Sequence, residues 1–121
     1  MKIYPSQYKN KESIVLESPV LRAELLPNPG GKLVSLIYKP NGYELLVQRK
    51  TTVYLDQPFD GCYVEGECSG YDDMFPTIDE CVYQAAPWKN VKMADHGEVW
   101  SLPWLPAISE QQLVLAVSGI R

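Results

Sequence analysis

Two short segments concentrate the side chains able to bind a polar ligand or move a proton. The first, Ser69 to Ile78, reads Ser-Gly-Tyr-Asp-Asp-Met-Phe-Pro-Thr-Ile and sets Asp72 and Asp73 side by side between a glycine and an aromatic–proline pair. The second, Ala94 to Trp104, places the single histidine of the sequence, His96, between Asp95 and Glu98, and follows it with Trp100 and Trp104. Carboxylates and imidazole hydrogen-bond to hydroxyls, while an indole face packs on the apolar C–H side of a sugar ring. That mixture suits carbohydrate recognition. The expected ligand contacts are His96 for a hydroxyl or ring oxygen, Asp72 and Asp73 as hydroxyl acceptors, and Trp100 as a packing wall. Arg49 could reach an anionic sugar substituent, although a surface ion pair is its plainer role.

Each of these residues also has a purely structural reading. A histidine flanked by Asp and Glu serves equally as a structural hydrogen-bonder. Asp72-Asp73 is ordinary turn chemistry, in which Asp side chains bond nearby backbone N–H groups. Trp88, Trp100 and Trp104 serve as core or lid packing. The oxygen-rich set Asp72, Asp73, Asp95, His96 and Glu98 has the chemistry for a hard cation, but its spacing matches no known cation loop. No metal and no cofactor is therefore expected. Cys62, Cys68 and Cys81 are odd in number and lack C-x-x-C spacing, which reads as reduced thiols packed as small buried hydrophobes.

The elements that must hold these segments are short strands. Ten prolines and eight glycines in 121 residues leave little room for long helices. Apolar runs at Ser13–Glu17, Leu21–Leu26, Lys32–Tyr38 and Tyr43–Val47 are separated by Ser18-Pro19, by Pro27-Asn28-Pro29-Gly30-Gly31 and by Lys39-Pro40-Asn41-Gly42. Their hairpin-length connections predict an antiparallel meander. From Asp56 to Trp104 periodicity fades, and loops this long inside a compact domain are characteristically functional. Gln112–Ser118 is a last β-rich run next to the end of the sequence, where an open edge would invite pairing with another chain. The expected fold class is all-β, an antiparallel β-sandwich, with 1–121 a single domain that is incomplete.

Composition narrows the partners. A net charge of −4 lacks the basic footprint that nucleic acid requires. Nothing approaches the run of about 20 apolar residues that spans a bilayer. Residues 1–13 lack the apolar stretch of a signal peptide, which points to a cytoplasmic location.

Gly31-Lys-Leu-Val-Ser-Leu36, Asn41-Gly-Tyr-Glu-Leu-Leu46, Gly70-Tyr-Asp-Asp-Met-Phe-Pro76 and Asp95-His-Gly-Glu-Val-Trp-Ser101, taken in order, resemble the galactose mutarotase-like (aldose 1-epimerase) superfamily. The resemblance runs through nearly the whole sequence and corresponds to the N-terminal portion of that family's large β-supersandwich. It implies carbohydrate metabolism and an isomerase reaction, the interconversion of aldose anomers by general acid/base ring opening, with a monosaccharide as partner. His96 matches the family's first histidine, which holds a substrate oxygen. The second histidine and the basic glutamate have no counterpart here, so no catalytic residue is assigned, Glu98 included. Two further readings stay open: a carbohydrate-binding module without turnover, and an interaction or homo-oligomerisation module that uses the exposed β-edge.

Overall fold

Antiparallel strands account for the regular structure: 37% of residues are in strands and 5% in helix. The computed structural model describes residues 1–120. A five-stranded sheet is built in chain order from β1 (Lys2–Tyr8), β2 (Lys11–Glu17), β3 (Leu21–Leu26), β4 (Lys32–Tyr38) and β5 (Tyr43–Glu44). Every neighbouring pair is antiparallel, as the hairpin-length connections predict. Two small hairpins follow, β6 (Cys81–Val82) with β7 (Lys92–Met93), and β8 (Leu105–Ile108) with β9 (Leu113–Ala116). Two 3-10 turns, Tyr63–Glu65 and Val99–Ser101, punctuate the long middle segment. None of the described helices is long and apolar enough to cross a membrane.

Three departures from the strand pattern have local causes. β1 lies in a stretch whose polarity hid it, and Pro5 argues against a central strand. As an outer strand paired only with β2, it tolerates a residue that donates no ladder hydrogen bond. β5 is far shorter than Tyr43–Val47 because Glu44 turns its carboxylate back on the chain. Oε1 accepts the Leu36 and Leu46 N–H groups at 2.9 and 3.0 Å, and Oε2 accepts the Ser35 hydroxyl at 2.5 Å. β8 was hidden by Pro103 and Pro106, which break the apolar pattern around Leu105.

A bulge between Glu24 and Leu25 shifts the β3–β4 register, so that Glu24 faces Ser35, Leu25 faces Leu33, and Val34 is the extra residue. Val34 is fully buried with Leu26 and Tyr54, and Tyr8 packs against this cluster. Tyr54 comes from the loop after β5, so the core joins the sheet to the segment that carries the site. The Asn10 side chain accepts the Tyr54 N–H at 2.8 Å, which fixes that segment to the β1–β2 turn.

The three thiols are not buried. Cys62, Cys68 and Cys81 are all free and exposed, which corrects the expectation of small core residues. They sit in the irregular segment and the two-residue strand β6, where little apolar structure exists to cover them.

Candidate functional site

Left-handed backbone shapes the histidine segment. His96 has φ 58° and Gly97 φ 75°, two consecutive residues in a conformation that L side chains avoid. A Cβ on Gly97 would overlap the backbone of Phe75, with which Gly97 forms an isolated β-bridge. The Ile78 carbonyl accepts the His96 N–H at 2.8 Å, and the Phe75 carbonyl accepts the Glu98 N–H at 2.7 Å. Thr77 Oγ1 donates to the Ala94 carbonyl at 2.9 Å. The aspartate-rich loop and the histidine loop are thus laced together along 75–78 and 94–98.

Around His96 the contacts are specific. The imidazole stacks on the Tyr63 ring with centroids 4.0 Å apart and planes 7° apart. Nδ1 lies 2.7 Å from Asp95 Oδ1, and Asp95 Oδ2 accepts the Tyr63 N–H at 3.1 Å. The bond to His96, helped by the Tyr63 N–H, holds the Asp95 carboxyl below the usual range. With one ring face and Nδ1 engaged, Nε2 is the ring atom left to meet a ligand, and the side chain keeps 18% of its surface exposed.

Tyr63 is the hub of this arrangement. Its ring also meets Trp100 edge-on, at 5.3 Å and 79°, and its hydroxyl donates to Asp72 Oδ2 at 2.9 Å. Burial, together with the negative charge of Asp72 and the hydrogen bond to it, pushes the Tyr63 phenol upward, so it remains a protonated donor. Asp72 Oδ2 also accepts from Lys32 Nζ at 2.8 Å, with side-chain exposures of 3% for Lys32 and 2% for Asp72. Lys32 begins β4, so the chain of contacts runs from the sheet through Lys32, Asp72 and Tyr63 to His96. Tyr71 strengthens the same attachment by exchanging backbone hydrogen bonds with Leu33 at 2.9 and 3.1 Å.

The expected contacts therefore divide. His96, Asp72 and Trp100 converge on one tyrosine. The Asp72 side chain lies beneath the surface, bonded to Lys32 and Tyr63. Trp100 is a buried wall whose Nε1 donates to the Asp95 carbonyl at 3.0 Å. Asp73 is exposed and separate, its carboxylate 3.5 Å from the Tyr71 hydroxyl. Arg49 is exposed, and its Nη1 donates to the Gly66 carbonyl at 2.8 Å. Glu98 is buried and accepts the Ile120 N–H at 2.7 Å. Among the described residues, no three His, Cys, Asp or Glu side chains are grouped to hold a metal ion.

Sequence reasoning missed Tyr63 and Asp95 as working parts of the site. Asp95 adjoins the histidine as one of the carboxylates of its segment, but nothing in the spacing marks it as the partner of Nδ1. Tyr63 stands in a run without periodicity, 33 residues before its stacking partner, and nothing local marks it.

No family model matches the sequence, and neither a curated protein nor a solved structure matches it.

Proposed function

We propose that this chain is a carbohydrate-binding segment of the galactose mutarotase-like (aldose 1-epimerase) kind, in which His96 presents Nε2 to an oxygen of a monosaccharide. The reading rests on the motif resemblance and on one observation: the imidazole is clamped by Tyr63 on its face and by Asp95 at Nδ1. Such a clamp lowers the ordering that ligand binding would otherwise demand of the side chain. Trp100 backs the clamp, and Asp72 fixes the tyrosine that forms it. On this reading the five-stranded sheet is one layer of the family's β-sandwich.

Binding, and not turnover, is the activity proposed. The family's ring opening needs an acid and a base from a second histidine and a glutamate, and this sequence holds one histidine. Ligand-observed NMR or titration calorimetry against a panel of aldoses tests the reading. At least one aldose is expected to saturate the site, and His96→Ala to weaken it about tenfold through one lost hydrogen bond. Anomer interconversion on glucose and galactose is expected to stay at background. A flat response to every sugar overturns the proposal.

A second reading, association through a β-edge, draws on the β8–β9 hairpin. All four residues of β8 are exposed, Leu105 at 76% and Ile108 at 55%. A hairpin with this much bare apolar surface has the composition of an interaction surface.

A further inference from the structure

A neutral imidazole carries one N–H, and at His96 the neighbouring carboxylate decides which nitrogen holds it. Asp95 Oδ1 lies 2.7 Å from Nδ1, while Asp95 Oδ2 accepts the Tyr63 N–H at 3.1 Å. The bond to His96 first, and the one from the Tyr63 N–H after it, hold the Asp95 carboxyl below its usual range, so it stays ionised. An ionised carboxylate only accepts, so Nδ1 is the donor of the pair. With the single proton of the neutral ring on Nδ1, Nε2 carries a bare lone pair. Turning the ring over would set Cδ2 against the carboxylate and forfeit the bond. The Tyr63 ring, stacked with its centroid 4.0 Å from that of the imidazole, adds a face contact that an intermediate tilt would lose. Neighbouring side chains in a strand point to opposite faces. Asp95 and His96 meet here because the chain leaves that geometry, with His96 at φ 58°.

We propose that Asp95 selects the group this site takes: it keeps the proton of the neutral His96 ring on Nδ1, so that Nε2 accepts from a sugar hydroxyl and refuses a ring or glycosidic oxygen. The inference rests on the carbohydrate reading above and goes further by choosing between the two kinds of oxygen expected of His96. A ring oxygen has lone pairs and no proton, and Nε2 is in the same position, so the two can face each other without forming a bond. A hydroxyl supplies the missing donor. A site that offers an acceptor rejects an analogue lacking the matching donor, because the acceptor is then left unpaired. Asp95 acts through His96 and is a positioning residue.

The test is long-range proton–nitrogen correlation NMR on the full chain labelled with nitrogen-15 histidine, at about pH 8, above the ordinary imidazole range near roughly 6.5. His96 is the single histidine of the sequence, so the two ring resonances need no further assignment. Nδ1 is expected to be protonated and Nε2 bare. Asp95→Asn keeps an oxygen for the Tyr63 N–H and turns an amide N–H toward Nδ1. The ring proton is then expected to move to Nε2, with the melting temperature in place. Glucose and galactose, each with its singly deoxygenated and deoxyfluorinated forms, are the binding probes. At one position both replacements are expected to weaken binding about tenfold, since fluorine keeps the shape of a hydroxyl but cannot donate. The parent aldose is expected to shift the Nε2 resonance, and the fluorinated form to leave it in place. A neutral ring protonated on Nε2 in the unsubstituted chain overturns the proposal. So does a fluorinated series that binds as tightly as the parent at every position. A ring protonated on Nδ1 in a chain that answers to no sugar supports the role of Asp95 and overturns the carbohydrate reading alone.

Discussion

Lys32 and Asp72 share a bond in which neither side chain reaches water, and the stability of the site depends on both being present. Removing one partner of such a pair leaves the other charge buried, which is the expensive case. Asp72→Asn is therefore expected to destabilise the fold by about 3 kcal/mol in urea unfolding. Lys32→Met combined with Asp72→Asn is expected to recover part of that loss, since no bare charge remains. A single-variant loss below about 1 kcal/mol would mean that the ammonium finds water instead. At this scale the sequence was partly legible. Of the polar and aromatic residues that stand out in the sequence, His96, Asp72 and Trp100 meet at Tyr63 in the structure. Their division of labour was not legible. Whether Asp72 faces a ligand or a lysine depends on a partner 40 positions away, which no local spacing encodes.

Turns, more than strands, set the geometry of the elements. Gly97 and Gly42 both have positive φ, +75° and +69°, but their surroundings differ. Nothing lies within 4 Å of a Cβ added at Gly42, whereas one at Gly97 overlaps the Phe75 backbone. Gly42→Ala is expected to lower stability by about 1 kcal/mol through backbone strain alone. Gly97→Ala adds the clash, and a loss of about 3 kcal/mol or more is expected in thermal or urea unfolding. Equal losses for the two would show that the 75–78 segment yields easily. Strands β2, β3 and β4 were legible because β-branched and apolar residues recur between Pro and Gly stops. β1 and β8 were not, since proline and polar residues interrupt the alternation that identifies a strand. The close approach at Gly97 was equally hidden: glycine in a sequence announces freedom without naming what comes near.

In the whole molecule the meander is the frame, and residues 49–104 are a cover attached to it at few points. The β8–β9 hairpin, which follows this cover in the chain, is largely exposed. Its apolar surface is expected to drive self-association at the concentrations used for structural work. Sedimentation velocity is expected to show a concentration-dependent dimer, and the pair Leu105→Lys with Ile108→Lys to give a monomer with unchanged far-UV circular dichroism. A wild-type chain that stays monomeric to high concentration would exclude the β-edge reading. The all-β class and antiparallel order were legible from turn spacing alone. How the irregular half lies on the sheet was not, because it depends on a few long-range bonds made by single side chains.

Two of those fastenings, Lys9 with Glu67 and Lys32 with Asp72, are almost wholly enclosed by protein. Mobile ions screen charges that solvent can surround, and reach such enclosed pairs far less. Brine that dissolves the outer bonds of Lys92 to Asp60 and Glu80 will leave the seat of Tyr63 undisturbed. The lysine–aspartate seat beneath the clamp is in that sense indifferent to electrolyte, while the β6–β7 finger is tuned by the medium.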